Sequence, residues 1–149
     1  LYLILTARLI TSHSPSQFPT QRTALHLAAL FDKSGSGLRA LIEAGASINA
    51  LDFMQCSPLH WAAIWNPAAV PVLLAANAEV NLLNTWNKSP LFNAAEKSHS
   101  ECVAALCKAG ADPHLGRSPL TDSAVNKEIK LKIRVRILKH LKGYLMSVK

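Results

Sequence analysis

The stretch SPLHWAAIW, residues 57–65, places one histidine between a proline and a pair of alanines. Similar stretches occur at three other places, which are TALHLAAL at 23–30, SPLFNAAE at 89–96 and SPLTDSAV at 118–125. Their starts are 34, 32 and 29 residues apart. The histidine recurs while no acidic or nucleophilic partner recurs with it. A structural role for His26 and His60 is therefore favoured over catalysis.

Two further elements recur in a fixed order between these stretches. The first is LIEAGASIN at 41–49, LLAANAEVN at 73–81 and LCKAGADPH at 106–114. The second is NALDFMQCS at 49–57 and NLLNTWNKS at 81–89, which are equal in length. Three elements in one order at a period near 33 indicate a repeat architecture.

Each unit predicts two helices. A Ser or Thr caps the first helix, and a proline suits its first turn, where the N–H has no acceptor inside the helix. Paired alanines let neighbouring helices approach closely. The second helix, apolar at Leu38, Leu41 and Ile42, ends at Gly45, and Asn77 stands at the equivalent position; both residue types tolerate the left-handed C-cap conformation.

These motifs resemble the ankyrin repeat, whose signature T-P-L-H-x-A is matched by Thr23–His26, Ser57–His60 and, with Phe92 in place of histidine, by residues 89–92. The resemblance implies an all-α solenoid of stacked helix-turn-helix units with projecting β-turn or hairpin loops. It also implies that the histidine ties adjacent loops together. Such arrays bind other proteins on their concave side and through loop tips, without cofactor, metal or small-molecule substrate, so we expect a non-catalytic scaffold or adaptor.

The repeats divide the chain into three parts. Residues 1–22 are predicted to form an N-terminal capping helix and an irregular connection. Residues 23–125 hold about four repeats with degenerate ends, starting near 23, 57, 89 and 118. Residues 126–149 are predicted to form a basic helix that completes or caps the last repeat. Within it, KLKIRVRIL at 130–138 alternates basic and apolar residues, which is typical of a β-strand. Its place in the repeat order favours a helix instead.

Composition narrows the cellular setting. The 149 residues include three cysteines, an odd number with no CxxC pair, which is typical of reduced thiols inside the cell. We therefore expect a cytoplasmic or nuclear location. No apolar run approaches the length that spans a membrane.

The positions that ankyrin-type units leave free hold large apolar residues. In the loops and after the paired alanines, six of them are predicted to form a groove that receives a peptide or helix of a partner: Phe31, Phe53, Met54, Ile64, Trp65 and Trp86. The competing interpretation is that irregular loops or the N-terminal segment fold over these side chains and bury them.

The formal net charge of +7 comes from the C-terminus. Residues 1–126 contain eight basic and eight acidic side chains, whereas residues 127–149 contain eight and one. A second hypothesis is that this segment binds nucleic acid or anionic membrane, although few aromatics accompany it for base stacking. The competing interpretation, which is favoured, is that the basic residues form a solubilising face of a terminal helix. The basic patch would consist of Lys127, Lys130, Lys132, Arg134, Arg136, Lys139 and Lys142.

A narrower resemblance concerns residues 89–113, SPLFNAAEKSHSECVAALCKAGADP. They are similar to repeats in the substrate-receptor subunits of cullin-type ubiquitin ligases that carry a SOCS box. A SOCS-box motif is not recognisable in the last 30 residues. This resemblance implies a ubiquitin-ligase component or substrate as one class of protein partner.

Overall fold

The computed structural model describes residues 21–116 and four positions further on, Val135, Leu138, Lys139 and Lys142. Within residues 21–116 there are six α-helices and no β-strand. The helices are α1 (Ala24–Phe31), α2 (Ser36–Glu43), α3 (Pro58–Trp65), α4 (Val70–Ala75), α5 (Pro90–Glu96) and α6 (Ser100–Lys108), with a 3₁₀ turn at Pro67–Ala69 before α4. The all-helical repeat fold predicted from the sequence is thereby confirmed.

Several predictions about the ends of the chain lie outside the described residues. They are the N-terminal capping helix, the head of the fourth repeat at 118–125 and most of the basic segment. The four described C-terminal positions lie in a helix and are exposed.

The inner helices α1, α3 and α5 begin in the same way. Thr23, Ser57 and Ser89 are their N-caps and have extended backbones. Pro58 and Pro90 occupy the first helical position, where a missing N–H costs nothing and the fixed φ suits the helix.

The inner helices stack side by side, α1 on α3 and α3 on α5. Five alanines of the repeated pairs are completely buried at these contacts: Ala29, Ala62, Ala63, Ala94 and Ala95. A leucine three or four positions earlier in each helix is also buried: Leu25, Leu59 and Leu91. Small side chains allow close approach while the leucines fill the space between repeats, so the core runs through all three described units.

The outer helices α2, α4 and α6 pack against their inner partners, and α4 also contacts α6. Each ends in a left-handed residue, Gly45, Asn77 or Gly110, with φ of 84°, 61° and 88°. In all three ends the following alanine N–H reaches back to the carbonyl of a leucine in the helix, at 3.0 Å. This is the Schellman arrangement, and it confirms the C-caps predicted at Gly45 and Asn77.

Asn77 is an L-residue in a conformation that glycine adopts without a Cβ penalty. Because Asn77 is exposed, we expect Asn77→Gly to raise the free energy of unfolding by about 0.5 kcal/mol, and Asn77→Ala to lower it by about 1 kcal/mol. Equilibrium urea denaturation followed by tryptophan fluorescence measures both changes. Equal stability of the two variants would contradict the assignment of Asn77 as the cap.

Candidate functional site

Two buried histidines connect the inner helices α1 and α3 to the repeat that follows each of them. His26 Nε2 lies 2.9 Å from the carbonyl oxygen of Cys56, and His60 Nε2 lies 3.1 Å from that of Lys88. The backbone N–H of Thr23 donates to His26 Nδ1, and that of Ser57 donates to His60 Nδ1, both at 3.1 Å. Both ring nitrogens are thus engaged in holding the base of a loop, as the family resemblance implied.

These bonds require neutral rings. A backbone N–H can only donate, so Nδ1 is unprotonated and Nε2–H donates to the carbonyl. Burial lowers the pKa of His60 to about 4, and burial also lowers the pKa of His26. A histidine that stays neutral at physiological pH and bonds to the backbone and to the N-cap hydroxyl of its own helix is part of the scaffold.

The two projecting loops, called loop one (residues 49–57) and loop two (residues 81–89), are built by the same device. Asp52 Oδ1 accepts from the backbone N–H groups of Met54 and Cys56, each at 2.9 Å. In loop two, Asn84 Oδ1 accepts from those of Trp86 and Lys88, each at 3.0 Å. A buried side-chain oxygen therefore folds each loop back on itself and projects its tip.

The loops also contact one another, since the Thr85 N–H donates to the Met54 carbonyl at 3.0 Å. The other carboxylate oxygen of Asp52 accepts from Trp61 Nε1 at 2.9 Å and lies 3.6 Å from Arg22 Nε. The Arg22 guanidinium stacks over the Trp61 ring, 4.0 Å from its centroid. Loop one is thus anchored to the inner helix α3 as well as to loop two.

Four of the six residues predicted to bind a partner are exposed aromatics. The exposed fraction is 70% for Phe31, 59% for Trp65, 46% for Phe53 and 44% for Trp86. Met54 and Ile64 are half-buried. Within residues 21–116, therefore, no segment covers these four aromatic side chains.

The six residues fall into two groups along the inner helices. The loop-tip patch (Phe53, Met54 and Trp86) precedes the inner helices, and the helix-end patch (Phe31, Ile64 and Trp65) lies at their last turns. Because α3 runs from Pro58 to Trp65, about 10 Å of helix separates the two patches.

The helix-end patch borders a cleft of about 430 Å³. Trp65 lines the cleft together with Pro67, Val70, Cys102, Lys33 and Glu101. Lys97 Nζ lies 4.9 Å from the centroid of the Trp65 ring. Asn66 Nδ2 donates to the Asp32 carbonyl at 3.0 Å, which fixes the end of α3 beside the end of α1.

Sequence reasoning missed other residues of this surface and its framework. Leu27 and Leu51 are also exposed, and Leu27 holds the position after the motif histidine, as Trp61 does. That shared position is a signal that could have identified Leu27. His99 Nδ1 bonds to the Ala63 carbonyl at 3.0 Å, a further tie between repeats for which the sequence pattern gave no indication.

The comparison with known families agrees with this geometry. A family model for ankyrin repeats in three copies matches residues 3–84 and 59–141. The chain belongs to the ankyrin-repeat family. Ankyrin repeats are protein-interaction modules and are generally non-catalytic.

This ankyrin-repeat chain is similar to segments of longer proteins. It is 39% identical over 94 residues to the tyrosine-protein kinase Shark of Drosophila melanogaster, a match that covers 62% of the chain and 10% of the kinase. It is 38% identical over 79 residues to the palmitoyltransferase ZDHHC17 of Homo sapiens, covering 52% of the chain and 12% of that protein. The chain thus spans only a small fraction of the length of these relatives.

The cysteines of the ankyrin repeats are packing residues. Cys56 and Cys102 are buried, and burial raises the pKa of each thiol to about 11. Burial also raises the pKa of Cys107. These thiols are protonated at neutral pH and are poor nucleophiles.

Within residues 21–116, His, Cys, Asp and Glu side chains form no cluster suited to a metal ion. Among the described residues, no helix is long and apolar enough to cross a membrane.

Proposed function

We propose that this ankyrin-repeat chain is a non-catalytic scaffold or adaptor that binds a polypeptide segment of another protein through the loop-tip and helix-end patches. The observation that carries the proposal is the exposure of four aromatic side chains, Phe31, Trp65, Phe53 and Trp86, on a scaffold whose leucines at the repeat contacts are fully buried.

Hydrogen bonds fix the backbone next to the exposed aromatics. The loop amides around Trp86 are bonded to Asn84, and the end of α3 is bonded to Asp32. Large aromatic side chains on a rigid support supply contact area at low entropic cost, which is why such residues dominate binding energies at interfaces.

The test is a comparison of two double variants. Trp65→Ala with Trp86→Ala should abolish capture of a partner from cell extract while the unfolding midpoint stays nearly unchanged, because about half of each residue is exposed to solvent and neither belongs to the buried core. Arg39→Ala with Glu43→Ala removes two exposed side chains from the outer helix α2 and should capture the same partner as the unaltered chain. Quantitative mass spectrometry of the captured proteins measures the difference. Full capture by the tryptophan variant, or a large loss of its stability, would refute the proposal.

The proposal also concerns the class of partner and the cellular compartment. The similarity to segments of Shark and ZDHHC17 supports a role as a recognition module. It does not identify the partner. A ubiquitin-ligase component or substrate is a candidate partner class because of the resemblance at residues 89–113. The free cysteines support a reducing compartment, the cytoplasm or the nucleus.

A second candidate function concerns the basic segment at 127–149. Lys139 and Lys142 are exposed on a helix, as are the apolar Val135 and Leu138 beside them. A helix with both kinds of exposed residue suits attachment to anionic lipid or nucleic acid. The intact chain should then bind anionic vesicles or single-stranded RNA in a salt-sensitive way, and a chain ending at residue 126 should not. Equal binding by both chains would dispose of this function.

A further inference from the structure

We infer that the helix-end patch selects an acidic polypeptide segment, with a large apolar side chain of the partner in the cleft beside Trp65 and carboxylates near Lys33 and Lys97. This inference rests on the proposed function and specifies the chemistry of the partner.

The first support is the distribution of unpaired charge. Two ion pairs occur within residues 21–116, Arg22 with Asp52 and Lys88 with Glu96. In the same range, Lys33 and Lys97 have no carboxylate within ion-pair distance. The inner helices and loops thus present two unneutralised ammonium groups, and both adjoin the helix-end patch.

The carboxylate nearest to Lys33 in sequence is already engaged. Asp32 accepts from the backbone N–H groups of Ser34, Gly35 and Leu38, at 3.0, 3.0 and 2.9 Å. Its hydrogen bonds are directed into the turn that precedes α2. Asp32 therefore does not supply the counter-charge for Lys33.

The second support is the cleft itself. Its volume of about 430 Å³ is ample for one large side chain, and Pro67, Val70 and Cys102 give it an apolar lining. Lys33 and Glu101 are charged residues of the lining, and Lys97 lies over the neighbouring Trp65 ring. Two ammonium groups against one carboxylate favour an apolar anchor flanked by acidic residues.

The segments that flank residues 21–116 do not have the required charge. Residues 1–20 and 117–149 contain two carboxylate side chains, Asp122 and Glu128, and ten basic ones. A basic segment would be repelled by Lys33 and Lys97. Charge complementarity therefore favours an acidic segment of another protein over residues 1–20 or 117–149 as the occupant.

The test uses random 16-residue peptides displayed on phage and selected on the full chain. We expect the selected pool to be several-fold enriched in Asp and Glu next to Trp, Phe or Leu. The variant Lys33→Glu with Lys97→Glu should instead select basic peptides. A labelled peptide from the first pool should bind this variant at least about tenfold more weakly at low salt.

Matched controls locate the effect. Arg39→Glu with Lys108→Glu makes the same charge change on the outer helices and should retain peptide affinity. Ala68→Trp fills the cleft and should weaken binding at least about tenfold, whereas Ala75→Trp, an exposed alanine of α4 outside the cleft, should not.

The outcomes separate this inference from the proposed function. Selected peptides of neutral or basic composition that depend on Trp65 and Trp86 would overturn the inference and leave the proposed function standing. Failure of the unaltered chain to select any peptide would overturn both. Sedimentation of the chain as a dimer that Lys33→Glu with Lys97→Glu dissociates would overturn the inference by identifying a second copy as the occupant.

Discussion

Replacing Asp52 by alanine is expected to lower the free energy of unfolding by about 3 to 5 kcal/mol. Asp52 is 1% exposed and accepts hydrogen bonds from Met54 N, Cys56 N and Trp61 Nε1. Alanine would leave these donors without an acceptor and would remove the carboxylate beside Arg22. A loss of this size is a large fraction of the 5 to 15 kcal/mol that stabilises a typical domain.

Asp52→Asn is the matched control because the equivalent position of the next repeat is already an asparagine. Asn84 stands at the same place in loop two and bonds its two loop amides through Oδ1. Asp52→Asn should keep the loop bonds and lose the charge-assisted bond to Trp61 and the charge opposite Arg22, at about 1 to 2 kcal/mol. Urea denaturation of the three chains gives the comparison. Equal losses of stability in the alanine and asparagine variants would show that the bonds from the loop amides to residue 52 do not account for the loss.

Stability is expected to fall as the pH is lowered from about 6.5 to about 4. The pKa of His60 is about 4 in the folded chain, because burial disfavours the charged ring, against the ordinary value of 6.5. The unfolded chain therefore takes up a proton in this window that the folded chain does not, so folding becomes less favourable as the pH falls. At about 1.4 kcal/mol per pKa unit, His60 alone accounts for about 3 kcal/mol. The lowered pKa of His26 acts in the same direction.

His60→Phe isolates this contribution, because Phe92 occupies the equivalent position of the third repeat and is buried there. The variant should be less stable at pH 7, since the bond to the Lys88 carbonyl is lost, yet its stability should change less between pH 6.5 and 4. Denaturation curves across this range for both chains measure the difference. Parallel pH profiles would contradict the assignment of a neutral, buried His60.

Much of the scaffold was predictable because it is repeated. The Ser or Thr caps, the alanine pairs and the left-handed ends at Gly45 and Asn77 each follow from local chemistry, and the recurrence of each element confirms the others. The role of His26 and His60 followed from the family resemblance. The short range of these interactions is what makes them readable from sequence.

The arrangement of the site was less predictable because it depends on contacts between repeats. Phe31 and Trp65 are free positions by pattern, but their separation from Phe53 and Trp86 follows from helix length and stacking. The cleft beside Trp65 is formed by residues of two repeats, and the Arg22 guanidinium on Trp61 joins the start of one repeat to the middle of the next. Sequence spacing alone does not reveal such juxtapositions.

Photo-crosslinking from position 65 is the most direct test that the exposed aromatics contact another polypeptide. With Trp65 replaced by benzoylphenylalanine, irradiation in cell extract should give a discrete crosslinked protein, and adding Trp86→Ala to the same chain should reduce its yield. The same photoreactive residue at Arg39, exposed on α2, should not crosslink that protein. Crosslinks confined to the chain's own residues, or the same products from positions 65 and 39, would contradict the account.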